Sequence, residues 1–347
     1  MGIERNNSNV ISFISVSIKR IPISIYEKGI FMTEDRNIIF DKNDVCILIP
    51  VLNEEAAVKE VIEGFKAIGY TNILVFDGNS KDKTREVSEA AGARVVVQSG
   101  KGKGQAMIQA FASITEKYIV MIDGDGTELP EEIHTLLYPV LEGKADHVAG
   151  DRIARRTKGA FTSLNLAGNR MINWFFRRAF RSNLRDILTG YRAFTRESIQ
   201  ALDLKQHGFV IETEMTTECL MKEQRIIEVP ITYLPRPEKV ETKLHPVRDG
   251  YRISMAVYKY SRFYNPIFFF GVWSLGAFLA ALLAVAIHPF VDGHSAMLGN
   301  AFFFFAGSSI LLAAVGFATD VTATLHRKTL KAIHSVEKEQ EKDYDQF

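Results

Sequence analysis

Two stretches near the C-terminal end decide what kind of molecule this chain can form. Residues 267–290 (IFFFGVWSLGAFLAALLAVAIHPF) and 296–319 (AMLGNAFFFFAGSSILLAAVGFAT) contain no Lys, Arg, Asp or Glu. As helices rising 1.5 Å per residue, both are long enough for the roughly 30 Å hydrocarbon layer of a bilayer. Buried helices of soluble proteins rarely run so far without a polar stripe. The short connection VDGHS makes the pair a hairpin. Lys259 and Arg262 precede it, His326, Arg327, Lys328 and Lys331 follow it, and its loop has no Lys or Arg. The positive-inside rule then places the rest of the chain and both termini in the cytoplasm, in a multi-pass protein of the cell membrane. The two spans can pair within one chain or between chains, so a homo-oligomer stays open.

Residues 44–248 read differently, as a mixed, charged, soluble domain. Apolar β-branched runs at 45–51, 73–77, 94–97 and 118–122 alternate with helical spacing at 55–69, through about Ala91, and at about 105–115. A fifth strand is expected at 146–150. This βα alternation predicts an α/β fold: an open, mostly parallel sheet covered by helices on both faces. In such sheets ligands bind beyond the carboxyl ends of the strands. The polar motifs LNEE, DGNS, GKGKG and DGDG all fall at those ends and would share one rim. A net charge of +1 argues against nucleic acid as a partner. Cys46 and Cys219 are far apart and form no CxxC pattern, which suits free thiols better than a disulfide scaffold. Residues 1–43 form an extension with no signal-peptide pattern, either poorly ordered or an edge strand, and Met32 is a candidate start. Residues 321–347 are a charged cytoplasmic tail, a solvated helix or disordered.

The most informative rim motif is VMIDGDGTELP, residues 120–130. Asp123 and Asp125 flank Gly124, and two carboxylates this close repel unless a cation bridges them. Mg²⁺ or Mn²⁺ suits oxygen ligands and leaves coordination positions for water and substrate phosphate. Gly124 would let a ligand approach the backbone. An Asp-Gly turn open to solvent is the plainer alternative. In FDGNSKDKT, Ser80 or Asp82 can cap the next helix, while Asp77 can accept hydrogen bonds from a base or ribose. GKGKG precedes a helix and offers Lys101 and Lys103 to phosphate. No Ser-His-Asp set, zinc spacing or nucleic-acid motif occurs.

Taken in order, IPVLNEE, DGNSKDKT, GKGKGQA, DGDGTELP, GDR (150–152), DILTGYRAF (186–194) and EVPITYLPRPEKVETKL (228–244) resemble family-2 glycosyltransferases of the GT-A fold. The similarity is to polyprenyl-phosphate sugar transferases of the dolichol-phosphate mannose synthase type, and it covers residues 44–250. It implies that Pro50, Asn53, Glu54, Asp77, Asn79, Lys101, Lys103, Gly104, Asp123 and Gly124 bind a nucleotide-diphosphate sugar. Asp123 and Asp125 would hold the metal. Arg152, Arg192, Arg236 and Lys243 would bind the acceptor phosphate, with Asp123, Asp125 and Arg152 forming the catalytic set. Thr127 stands where mannose synthases often carry a further metal ligand, so Glu128 or water would take that place. DGDGT also resembles archaeal enzymes that charge dolichyl phosphate for N-glycosylation, which implies a UDP-sugar, with GDP-mannose the rival donor.

The implied reaction transfers a sugar to dolichyl or polyprenyl phosphate with inversion. Residues 161–181 and 249–265, which mix aromatic and basic side chains, are expected to be interfacial helices contacting membrane lipids. A processive polysaccharide synthase and a non-catalytic nucleotide-sugar-binding scaffold are the alternatives. The chain lacks the Q-x-x-R-W motif usual in the former, and keeping Asp123, Asp125 and Arg152 argues against the latter.

Overall fold

The structure is a computed structural model describing residues 30–33, 36–206, 208–237, 245–290 and 295–344. β1 (Ile30–Thr33) and β2 (Arg36–Asp41) pair antiparallel in a small sheet of their own. β3 (Val45–Val51), α1 (Val58–Ala67), β4 (Ile73–Asp77), α2 (Thr84–Ala90), β5 (Arg94–Val97), α3 (Lys103–Ser113) and β6 (Tyr118–Met121) follow in the expected alternation. Next come α4 (Ile133–Leu141), β7 (His147–Arg156), α5 (Ser163–Phe180), β8 (Arg192–Thr195), α6 (Arg196–Gln200), α7 (Ile211–Met221) and β9 (Ile226–Tyr233). Three long helices close the chain: α8 (Pro246–Tyr264), α9 (Pro266–Ile287) and α10 (Ser295–Tyr344).

The main sheet has seven strands in the order β5-β4-β3-β6-β8-β7-β9. β5, β4, β3 and β6 are parallel neighbours, β8 runs antiparallel to both β6 and β7, and β9 is parallel to β7. The strand expected at 146–150 therefore does not lie beside β6, because the short β8 is inserted between them. This reversal matters for the site. Met121 at the end of β6 registers with Arg192 at the start of β8, so the residues leading into β8 arrive at the same rim as the carboxyl ends of the parallel strands.

Alternation along β3 divides the core. Val45, Ile47, Ile49 and Val51 pack with α1 and α4 residues such as Phe65 and Leu136. Cys46 and Leu48 pack with Met107 and Phe111 of α3 and Met215 of α7 on the other face. Burying both faces accounts for the near-continuous apolar runs of these strands. Cys46 and Cys219 are free thiols, both buried.

A third cluster joins the sheet domain to the C-terminal helices. Ile172, Phe176, Ala179 and Phe180 of α5, at helical spacing, pack against Ile253, Ala256 and Val257 of α8. The opposite side of α5 leaves Met171 and Trp174 exposed. At the end of α5, Arg181 donates to Asn265 Oδ1, 3.1 Å away, and to Asp320 of α10, 3.2 Å away, tying it to both long apolar helices. Pro266–Phe290 and Ala296–His326 are each long and apolar enough to cross a membrane, and only 11% of each apolar window is buried inside the protein. That exposure is foreign to core helices and suits a lipid-facing hairpin. α10 continues unbroken through residue 320, so the charged tail runs on from the second apolar stretch as helix.

Candidate active site

The two aspartates beyond β6 meet cations supplied by the chain itself. Lys103 Nζ lies 2.6 Å from Asp123 Oδ1, and Arg236 Nη2 lies 2.5 Å from Asp125 Oδ2. Asp125 Oδ1 also accepts from Thr127 Oγ1 (2.6 Å) and Thr127 N (3.1 Å), which fixes the DGDGT turn. Burial alone would raise the Asp123 pKa, but Lys103, followed by Arg152 and Arg236, holds its carboxyl below the usual range. For Lys103, burial acts to lower the pKa, yet Asp123 and Glu212 outweigh it and keep the ammonium charged.

Lys103 is the first residue of α3 and bridges to a second acid, Glu212 in the first turn of α7, 2.7 Å away. Sequence reading did not find Glu212, which lies in an acid-rich stretch without a motif. It also did not single out Asp186, which is fully buried. Asp186 takes a two-pronged ion pair from Arg152, with Nε to Oδ2 at 2.7 Å and Nη2 to Oδ1 at 3.0 Å. The Arg152 guanidinium lies 5.2 Å from the Tyr233 ring and 5.9 Å from Phe161. Asp186 precedes Ile187, whose N–H donates to Asn173 Oδ1 of α5 at 3.0 Å. Helix α5 therefore touches the loop that positions Arg152.

Glu128 lies in the same charged cluster. Burial, and then the charge of Asp123, push its pKa up to about 8, and neither carboxylate oxygen has a hydrogen-bond partner. Among the described residues no three Asp, Glu, His or Cys side chains are gathered closely enough to enclose a metal. The two aspartates of the DGDGT turn are hard oxygen donors of the kind Mg²⁺ or Mn²⁺ takes, a pair that leaves the other coordination positions to water and phosphate.

Other expected site residues fall at the rim in several ways. Asn53 and Asn79 adopt left-handed backbone, with φ of 52° and 69°. Asn53 Oδ1 accepts from Lys81 N, and Asn79 Nδ2 donates to the carbonyls of Gln98 and Gly100, so these side chains stitch neighbouring rim loops together. Pro50 is in β3, Glu54 is buried with its N–H bonded to Thr84 Oγ1, Lys101 is exposed in its loop, and Gly104 is buried in α3. Lys243 lies outside the described residues.

Three further expected site residues are held within the fold. Asp77 is fully buried and accepts from Ser80 N and Arg85 Nε, so it shapes the turn after β4. Arg192 is also fully buried, donating to the carbonyls of Thr189 and Ile187 and to Thr216 Oγ1, with His147 Nε2 3.1 Å away. Burial lowers its pKa to about 10, and it braces β8 from inside. Gly124 faces β3: a Cβ there would come 2.6 Å from Val51 Cγ1, so close strand packing explains this glycine.

The profile of Glycosyl transferase family 2 matches residues 46–202. Glycosyltransferase AglJ of Haloferax volcanii is 43% identical over 301 residues, 84% of this chain and 98% of AglJ. The chain belongs to glycosyltransferase family 2. The dolichyl-phosphate hexose transferase of Haloferax volcanii is 32% identical across 62% of this chain and 93% of its own length. An undecaprenyl-phosphate mannosyltransferase of Micrococcus luteus is 30% identical across 58% and 87%. Among solved structures, glucosyl-3-phosphoglycerate synthase of Mycobacterium tuberculosis, in complex with Mn²⁺, UDP-glucose and phosphoglyceric acid, superposes with a TM-score of 0.53 at 21% identity, covering 62% of this chain and 79% of that one. The shared fold is GT-A.

In this glycosyltransferase Gly190, from the loop before β8, marks how tightly Asp123 is confined. A Cβ at residue 190 would come 2.4 Å from Asp123 Oδ2. Gly190→Ala is expected to displace that carboxylate and slow sugar transfer by about 10–100-fold, the usual result of a misplacement near 1 Å. Initial rates compared with a thermal melt check this, since the melting temperature should hardly move.

Proposed function

We propose that this glycosyltransferase moves a sugar from a nucleotide diphosphate to dolichyl phosphate at the cytoplasmic membrane face, giving a lipid-phosphate-linked monosaccharide for protein N-glycosylation or surface glycans. One observation carries the reading. Arg152, whose charge acts on Asp123 of the turn, is linked through Asp186, Ile187 and Asn173 to α5, and α5 is tied to the apolar hairpin. A soluble donor and a lipid-borne phosphate would meet at such a place. The names of relatives that act on dolichyl and undecaprenyl phosphate support it.

Asp123 and Asp125 would hold Mg²⁺ or Mn²⁺, which when bound supplies positive charge for the departing diphosphate. Lys103 donates to the diphosphate from the base of α3 and stabilises charge as it develops. Arg152, preset by Asp186, is the fixed cation for the acceptor phosphate, and Arg236 is a second cation at the same turn. Guanidinium suits this work because it binds phosphate through two parallel hydrogen bonds. The attacking phosphate oxygen is already ionised near neutral pH and needs no strong base. A single displacement inverts the anomeric centre. The preferred donor is a UDP-sugar, with GDP-mannose the rival.

Membranes containing the protein, incubated with dolichyl phosphate and a panel of labelled nucleotide sugars, are expected to transfer label to the organic phase from a UDP-sugar. Label from GDP-mannose alone would change the donor, and no label from any donor would overturn the reading.

A further inference from the structure

We propose that Glu212 is a positioning residue for the donor diphosphate, holding Lys103 at the rim once Asp123 is engaged by a cation. The inference rests on the reading above, that a nucleoside diphosphate and a divalent cation share this rim. The Lys103 ammonium sits between two carboxylates, 2.6 Å from Asp123 Oδ1 and 2.7 Å from Glu212 Oε1. It has three N–H donors, so one remains for another acceptor.

The two carboxylates are held differently. Asp123 follows the end of β6 on a turn. Glu212 belongs to the first turn of an eleven-residue helix, where the peptide dipoles favour an anion, and its neighbours Ile211, Thr213 and Glu214 are fully buried. Glu212 is thus the rigid end of the arrangement. Lys103 follows Gly102, whose φ of 96° makes the lead into α3 a glycine-dependent bend. If Asp123 turned to a cation and Glu212 were absent, nothing described would keep the lysine from swinging toward solvent. With Glu212 present the ammonium stays in place, and two of its donors become available to the diphosphate.

A comparison within α7 separates this role from simple packing. Glu214, two residues on and on the other side of the helix, is consumed by structure: it accepts from Lys205 N, Gln206 N and Tyr260 OH. Glu212 binds Lys103 through one oxygen, while Oε2 is buried with no hydrogen-bond partner. Glu212 thus keeps an oxygen in hand beside Lys103, whereas Glu214 spends both of its oxygens on the fold.

The test is a double-mutant cycle on the full-length protein in lipid nanodiscs, reading the Kd of UDP and of GDP with Mn²⁺ by calorimetry. Glu212→Ala should weaken nucleotide binding about tenfold or more, the worth of a charge-assisted hydrogen bond. Lys103→Ala should weaken it at least as much, and the double variant should bind no worse than Lys103→Ala alone. Glu212→Gln, which keeps an oxygen for Lys103, should lie between wild type and Glu212→Ala, and it replaces the alanine variant in the cycle if that one fails to fold. A Glu212 effect that persists in the Lys103→Ala background, or no effect in the wild-type background, overturns the proposal. If the wild type binds neither nucleotide, the nucleotide reading of the rim falls, and this inference with it.

Discussion

Asp125→Asn is expected to reduce sugar transfer by about 10²–10³-fold while leaving the domain folded. The substitution is nearly isosteric. Asparagine Oδ1 can still accept from Thr127 N and Thr127 Oγ1, so the DGDGT turn keeps its internal bonds. What is lost is the negative charge opposite Arg236. That side chain is 29% exposed and can turn to water, so the stability cost should be below about 1 kcal/mol. The rate cost is larger because a neutral amide is a weak ligand for a hard divalent cation. A threefold lower rate at saturating Mn²⁺, with an unchanged metal requirement, would show that Asp125 only shapes the turn. Titrating Mn²⁺ at fixed donor, alongside a thermal melt, distinguishes the outcomes.

Much of this site was legible in the sequence because β3, β4, β5 and β6 are short apolar runs stopped by polar turn residues. Their alternation with helices fixed which motifs share a rim. The apolar hairpin was equally plain, since buried helices of soluble proteins rarely run so far without a polar stripe. β8 was harder to see: it has four residues, one of them an arginine, and Arg192 becomes a core side chain only because Thr216 and His147 arrive from distant segments. β9 carries Pro230, which reads against a central strand but is tolerated at the edge of the sheet, where β9 lies. Glu212 and Asp186 illustrate the same limit. Each matters through one long-range ion pair, with Lys103 and Arg152 respectively, and no local spacing announces such a pair. Asp77 and Arg192 show a related limit, since both are buried and bonded within the fold. A motif can mark a residue as constrained without telling a carboxylate that faces substrate from one that fastens a turn.

The other large effect concerns the Arg152–Asp186 pair. Asp186→Ala is expected to destabilise the domain by about 3–5 kcal/mol, the cost of breaking a buried ion pair from one side. Asp186 is fully buried and Arg152 is 8% exposed, so neither charge can turn to bulk water where it stands. In the wild type Asp186 outweighs the burial that would lower the Arg152 pKa; without it, the guanidinium still has an intrinsic pKa far above neutrality, so the variant keeps a stranded charge. The N–H groups of Arg152 and Leu188, which also donate to Asp186, lose their acceptor in the same step. At roughly 2–4 °C per kcal/mol for a domain of this size, the melting temperature should fall by about 10 °C. Arg152→Ala with Asp186→Ala should be less destabilised than the two single effects summed, because neither charge is stranded. Arg152→Lys separates stability from chemistry. An ammonium can still pair with Asp186, but it cannot make the two parallel bonds there or grip a phosphate in the same manner. It should therefore melt closer to wild type than Asp186→Ala does, yet transfer sugar about 100-fold more slowly. Wild-type turnover in Arg152→Lys would mean that Arg152 serves the fold alone, and the acceptor phosphate would have to be held elsewhere.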